Sequence, residues 1–203
     1  MKEEKREIKA IIFDIGEVLY NENIDKNNKD LRKFTTYNDF AKLRKKYIKL
    51  VQTNKISSDK YFEKISKRLK LNKKDFMNAY IKARKESIIL NSSVEKTIKK
   101  LKKNYLIGCL TNITPINHKL RLKKQVYAHF KLKLISCIEG LRKPDIRFYR
   151  LILKRTNLLP SQIIFIDNEN LMLLPAKKLG MHTILFKNNL QLIKDLRKLG
   201  VKI

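Results

Sequence analysis

The spacing of apolar residues changes period twice along the chain. Residues 8–13 form a short apolar run rich in β-branched side chains that ends in Asp14-Ile15-Gly16. It predicts a buried strand delivering a carboxylate to its C-terminal tip. From about 26 to 88 the apolar positions recur at helical spacing: Phe40, Leu43, Tyr47, Leu50, then Tyr61, Phe62, Ile65, Leu69, then Phe76, Tyr80, Ile81. Ser57-Ser58-Asp59 predicts an N-cap for the second helix, and Asn72 precedes a third. This block reads as an all-helical insertion whose Tyr and Phe residues make its core. After Asn91 strand and helix alternate. Helices are predicted from Ser92 to about Lys103, from Pro115 to about Tyr127, from Pro144-Asp145 to Arg155, over 171–179 closed by Gly180, and over 190–199 closed by Gly200. Strands are predicted over 105–110, 132–137, 163–166 and 183–186. Repeated strand-helix units imply an α/β fold, a Rossmann-like parallel sheet flanked by helices, with the helical block inserted after the first strand.

Three predicted strands end in polar residues: Asp14, Thr111-Asn112 and Asp167-Asn168. Arg142-Lys143-Pro144-Asp145 follows a fourth. Open parallel sheets bind ligands at that edge. The set offers two carboxylates, a hydroxyl, amides and a fixed cation, which is what phosphoryl transfer through a covalent intermediate needs. A carboxylate attacks phosphorus to give an acyl phosphate that water then hydrolyses. Mg2+ between carboxylates and phosphoryl oxygens offsets the repulsion of two anions. A lysine and a hydroxyl bind the remaining oxygens.

In the same order and spacing, these segments resemble the four motifs of the haloacid dehalogenase-like (HAD) hydrolase superfamily. Phe13-Asp14-Ile15-Gly16-Glu17-Val18-Leu19 is similar to the first, Leu110-Thr111-Asn112 to the second, and Arg142-Lys143-Pro144-Asp145 with Phe148-Tyr149 to the third. Phe165-Ile166-Asp167-Asn168, with Ala176, Leu179, Gly180 and Met181 downstream, is similar to the fourth. The helical block resembles the superfamily's C1 cap, with Asn54-Lys55-Ile56-Ser57 and Tyr61-Phe62 similar to a recurring cap segment. The resemblance implies a HAD-like core of residues 1–19 and 90–203 with a helical cap of residues 20–89. It is nearest to the Asp-x-Gly branch that includes sugar-phosphate phosphatases such as α-glucose-1-phosphate phosphatases.

The resemblance also implies roles. Asp14 is expected as nucleophile and Mg2+ ligand, and the Gly16 carbonyl as a second ligand. Asp167 and Asn168 are expected to hold the metal, directly or through water. Thr111, with Asn112 beside it, is expected to bind the phosphoryl group, and Lys143 to neutralise charge between Asp14 and phosphate. Tyr20, just past the first motif, is expected to line the substrate pocket. Two departures stand out. Gly16 occupies the position where most phosphatases of the superfamily carry a second Asp as general acid/base, a step worth roughly 10²–10⁴-fold in rate. The neighbouring Glu17 is expected to face elsewhere. Asn168 stands where the branch usually has Asp, and Glu169 is a candidate to compensate. Pro175 is expected to interrupt the helix after the fourth motif.

Composition bounds the function. The 203 residues are 43% apolar, enough to bury a core, with 5 Gly and 4 Pro. No apolar run approaches the roughly 20 residues of a membrane span. Met1 to Lys9 is a charged mixture without a secretory h-region. Cys109 and Cys137 lie in apolar runs and are expected as buried thiols of a reduced, cytoplasmic protein. His118, His129 and His182 show no pairing pattern. Lys and Arg number 48 against 19 acids, a net charge of +29. It is spread over both halves of the chain, and such a surface attracts polyanions, nucleic acid included, without sequence preference. The run Lys119, Arg121, Lys123, Lys124, Lys131, Lys133 reads as a solvated helix face. The leading expectation is a Mg2+-dependent phosphatase of a small phosphorylated metabolite. A pseudoenzyme binding RNA, a metal-free dehalogenase and a phosphomutase-like transferase are the alternatives.

Overall fold

The structure, a computed structural model, describes residues 7–21 and 29–203. The charged N-terminal segment and the start of the helical insertion lie partly outside those residues. The chain opens with β1 (Ala10–Phe13), every residue of which is buried. It then passes through β2 (Tyr20–Asn21) into α1 (Lys29–Arg32), α2 (Tyr37–Gln52), α3 (Ser58–Leu69) and α4 (Lys73–Ser87), and returns through β3 (Ile89–Leu90). From there strand and helix alternate as α5 (Ser92–Leu101), β4 (Leu106–Thr111), α6 (Pro115–Lys123), β5 (Leu132–Ile135), α7 (Ser136–Glu139), α8 (Ile146–Thr156), β6 (Ile163–Asp167), α9 (Asn170–Lys178), β7 (His182–Leu185) and α10 (Asn189–Lys198).

The five long strands make one parallel sheet in the order β5-β4-β1-β6-β7. After β1 the chain builds outward on one side through β4 and β5, then crosses to the other through β6 and β7. β1 is therefore the switch point at which a crevice opens beyond the strand ends. Alternation within β1 splits the core into two layers. Ile11 and Phe13 pack with Val94 and Ile98 of α5 and Leu192 and Leu196 of α10. Ala10 and Ile12 pack with Phe148 and Ile152 of α8 and Leu173 and Ala176 of α9. The strands press closely at Gly108 of β4, where a Cβ would lie 2.7 Å from Ile12 Cδ1 and 3.1 Å from Leu132 Cβ.

The helical block leaves and re-enters the sheet unit through the antiparallel pair β2–β3, with Tyr20 opposite Leu90. α3 and α4 start where the sequence signals place them, at Ser57 and Asn72, and α2 starts at Thr36; each of the three accepts a backbone N–H of the first turn. Its core is aromatic. Phe62 meets Tyr61, Phe76 and Tyr80 edge-on, with ring centroids 5.3, 6.0 and 5.1 Å apart.

Four expectations need correction. The strand predicted over 132–137 stops at Ile135, because Ser136–Glu139 turns at once into the short α7, closed by Gly140 at φ 67°. The helix from Pro115 ends at Lys123, and Gln125 then takes a left-handed φ of 53° that brings Val126 and Tyr127 into the core. Pro175 does not break α9. The bond it cannot donate would go to the Leu171 carbonyl, and Leu171 sits on the exposed face, where solvent can satisfy that acceptor. His129 is paired, with Nε2 2.8 Å from Glu95 Oε1. Cys109 and Cys137 are buried as expected. No helix among the described residues is long and apolar enough to cross a membrane.

Phe62→Ala empties the centre of the helical block's aromatic core. Urea unfolding is expected to show a loss of about 3–5 kcal/mol; a loss under about 1 kcal/mol is incompatible with this packing.

Candidate active site

Strand register builds the centre of the site. Phe13 of β1 is level with Ile166 of β6, so the next residues, Asp14 and Asp167, emerge side by side at the carboxyl edge. In a parallel pair, residues at the same level point the same way. Two carboxylates placed so repel, and Lys143 bridges them. Its Nζ lies 2.9 Å from Asp14 Oδ1 and 2.6 Å from Asp167 Oδ2. Burial alone would lower the Lys143 pKa, but Asp14 and Asp167 outweigh it and hold the ammonium above its usual value. The Asp167 carboxyl is pushed up, chiefly by burial and further by Asp14, with Lys143 opposing. One cation thus does not fully compensate two carboxylates. Asp14 is 14% exposed against 1% for Asp167, so of the pair Asp14 is the one open to an incoming molecule.

Lys143 lies in a loop, and hydrogen bonds fix that loop. Asn112 accepts the Lys143 N–H at 2.8 Å and donates to the Lys143 carbonyl at 3.0 Å. Ser136 accepts the Ile113 N–H at 2.9 Å and donates back to the Ile113 carbonyl. Asp145 caps α8 directly after the loop. The turns after β4 and β5 are thereby locked together. Thr111, at the end of β4, is buried, and its hydroxyl oxygen accepts from Arg121 Nη1 at 2.9 Å. That leaves the hydroxyl proton to donate elsewhere.

These groups form the floor of a cavity of about 490 Å3. Gly16, Asn168, Glu17 and Glu169 lie along the same wall, while Arg44, Ile48, Gln52, Tyr80 and Arg84 of the helical block cover it. Arg142 Nε donates to Gln52 Oε1 at 3.0 Å, joining the block to the loop of Lys143. Burial lowers the Arg142 pKa, and the charge of Glu169 partly counters this.

The expected site residues Asp14, Gly16, Thr111, Asn112, Lys143, Asp167 and Asn168 all line this cavity. Asn112 is there by holding Lys143's backbone. Tyr20 is a correction: pairing with Leu90 and packing against the core take its ring away from the cavity lining. Glu17 is another, since it lines the cavity with its backbone at φ 56°. The largest correction is Arg121. Read as part of a solvated basic face, it is only 3% exposed, and its guanidinium reaches the floor. A Cβ on Gly16 would lie 3.7 Å from Arg121 Nη2. Helical spacing held the signal: Asn117 and Arg121 stand one turn apart on the face of α6 opposite the exposed Leu122.

The donor set suits a hard divalent cation. Among the described residues no three His, Cys, Asp or Glu side chains are grouped so that they alone could hold a metal ion. Asp14 and Asp167 are under-compensated, and the Gly16 carbonyl and Asn168 amide add neutral oxygens. Mg2+ is held in this manner, through one or two carboxylates with water and substrate phosphate completing its shell.

The family model of haloacid dehalogenase-like hydrolases matches residues 8–171. The chain is 25% identical over 184 residues to the drimenol cyclase of Aspergillus calidoustus, covering 88% of this chain and 34% of that protein. It is 33% identical over 95 residues to the glyceraldehyde 3-phosphate phosphatase of Pyrococcus furiosus, covering 45% of this chain and 40% of that one. It thus spans well under half the length of these curated relatives. A HAD family enzyme of Bacteroides thetaiotaomicron, solved as a magnesium complex, shares the fold with a TM-score of 0.75. Its sequence identity is 19%, over 90% of this chain and 94% of that one.

Lys143→Met leaves Asp14 and Asp167 facing each other without a cation. A loss of about 3–5 kcal/mol at neutral pH is expected from denaturant unfolding of the metal-free protein. The folded-state carboxyl pKa of Asp167 then rises further above its unfolded value, so the native state retains a proton that the unfolded chain releases. The variant's stability therefore falls as pH rises from mildly acidic to neutral. A variant whose deficit is the same at pH 5 and pH 7.5 contradicts the bridge.

Proposed function

The chain belongs to the haloacid dehalogenase-like hydrolase family, and on that premise we propose that it is a Mg2+-dependent phosphatase of a small phosphorylated metabolite, with sugar phosphates among its candidates. The observation that carries this reading is the bridge Asp14–Lys143–Asp167 at the switch point of the sheet. In this reading residues 1–19 and 90–203 are the catalytic core and residues 20–89 a C1-type cap that closes the site against water and selects the substrate.

Asp14 is the nucleophile. Its carboxylate oxygen forms a bond to phosphorus as the ester oxygen leaves, giving an aspartyl phosphate and an alcohol. Water then attacks phosphorus, releasing inorganic phosphate and restoring Asp14. Lys143 offsets the charge of two anions drawn together. Thr111 donates its hydroxyl proton to a phosphoryl oxygen, its own oxygen being held by Arg121. Asp14, the Gly16 carbonyl, Asp167 and Asn168 are the residues that would hold Mg2+. When bound, it supplies charge neutralisation and orientation of the phosphoryl oxygens. Asn168 contributes no charge, so binding is weaker than with a carboxylate in that place.

No carboxylate extends from position 16, so the departing oxygen receives its proton from water. An easily departing group needs no such help. Two results follow from this. Purified protein with Mg2+ is expected to hydrolyse p-nitrophenyl phosphate, and Asp14→Asn to abolish that turnover. Absence of Mg2+-dependent turnover on aryl phosphates and on a phosphometabolite panel defeats the reading. The ratio of kcat/KM for p-nitrophenyl phosphate over glycerol phosphate is expected to exceed about 10², and Gly16→Asp to narrow it. A ratio near unity in the unmodified enzyme implies another proton donor.

A further inference from the structure

The roof of the cavity is the half that hydrolysis of a simple monoester leaves unused. Its polar groups come from three helices at helical spacing. Arg44 and Gln52 lie two turns apart on α2, Tyr80 and Arg84 one turn apart on α4, and Asn117 one turn from Arg121 on α6. Residues at i and i+4 stack on one helix face, so α4 and α6 turn polar stripes to the cavity, and α2 turns Arg44 and Gln52 to it with Ile48 between them. The stripes are joined. With its amide oxygen facing α4, Asn117 accepts from the Tyr80 hydroxyl at 3.0 Å and from the Arg84 guanidinium at 3.1 and 3.2 Å. Half-buried Arg44 has no hydrogen-bond or ion-pair partner among the described residues.

Charge in the cavity is divided between the sheet unit and the helical block. Among the described residues the cavity's carboxylates, Asp14, Glu17, Asp167 and Glu169, come from the sheet unit, and α2 and α4 contribute arginines but no acid. The helices of the roof therefore bring cations and no acid, above a floor whose carboxylates Lys143 compensates only in part. A neutral substrate tail there would desolvate the Arg44 guanidinium without giving it a partner, which is costly. An anionic tail supplies the partner, and the planar fork of arginine suits carboxylate and phosphate alike.

We propose that the roof is a second anion subsite, so that the substrate is a phosphate ester carrying a further anionic group, a carboxylate or a second phosphate. The identity of the first anion rests on the phosphatase reading; the subsite rests on the roof alone. Arg121 marks the floor, and Asn117, one turn or roughly 6 Å along α6, marks the level of Arg84. The two anionic groups are thus separated by a short carbon chain, in keeping with a cavity of about 490 Å3.

Non-hydrolysable probes test this directly. Calorimetry at physiological salt with Mg2+ compares propylphosphonate, 3-phosphonopropionate and propane-1,3-bisphosphonate. The two doubly anionic probes are expected to bind at least about tenfold more tightly than propylphosphonate. Their relative order tells carboxylate from phosphate. The preference is expected to shrink in Arg44→Gln and to vanish in Arg44→Gln/Arg84→Gln. Arg44→Gln breaks no hydrogen bond or ion pair among the described residues, so this variant is expected to fold even if the double variant does not. Equal binding of the three probes overturns the proposal. So does a preference that survives in folded Arg44→Gln and double variants, since it would then come from the general charge of +29. A preference lost on substitution, in a protein that hydrolyses no ester, supports the subsite and defeats the phosphatase reading. Hydrolysis without any preference does the reverse.

Discussion

Parallel register sets Asp14 beside Asp167 at the buried end of the sheet, where little water screens their repulsion. The ammonium of Lys143 makes that arrangement tolerable, and much of the site follows from the need to put it there. Lys143 is not carried by a strand. It must be brought in from the loop after α7 and held with its chain buried along the floor, over the ring of Phe165 at 5.6 Å. A buried ion pair is weak evidence of stability, because desolvation consumes much of the Coulombic gain. A triad of one cation and two anions is weaker still. Burial, and after it the neighbouring Asp14, raises the Asp167 carboxyl against the pull of Lys143, and two carboxylates around one ammonium leave charge that a divalent cation would offset.

Precision at Lys143 depends on groups that never face the cavity centre. Asn112 holds both sides of the Lys143 peptide, and Ser136 ties the neighbouring turn at Ile113. An ammonium displaced by an ångström would favour one carboxylate over the other. Asn112 and Ser136 therefore act on the chemistry through position, in the way that outer groups orient ligands elsewhere. The helical block meets this same loop through Gln52 and Arg142, so any movement of the block reaches the loop that carries Lys143.

The sheet and its strand tips were legible because both signals are local. A short β-branched run followed by Asp, Thr-Asn or Asp-Asn states its burial and its end at once, and Ser57 and Asn72 announce their helices by side-chain chemistry alone. The resemblance to a known hydrolase family added order to those tips. What sequence concealed was orientation. In a chain with 48 basic residues, a single buried arginine carries no compositional mark, so Arg121 was hidden among its solvated neighbours. Tyr20 failed for the complementary reason: nearness in sequence to Asp14 does not fix the side of a strand that a ring will take. Pro175 misled because the cost of a helical proline depends on whether the orphaned carbonyl reaches water.

Arg121 also changes what the missing acid at position 16 means. A carboxylate there would donate and accept protons, whereas a guanidinium stays protonated and does neither. In the proposed reaction it would stabilise negative charge on the phosphoryl oxygens through Thr111 and by proximity. Replacing an acid by an approaching arginine therefore trades proton transfer for tolerance of negative charge. A floor altered in that direction suits a molecule more anionic than a simple monoester. The roof, with Arg44 and Arg84 and no acid from α2 or α4, is altered in the same direction. Two independent parts of the chain, a loop glycine beside α6 and the inner face of the helical block, thus converge on one property of the bound molecule, its charge.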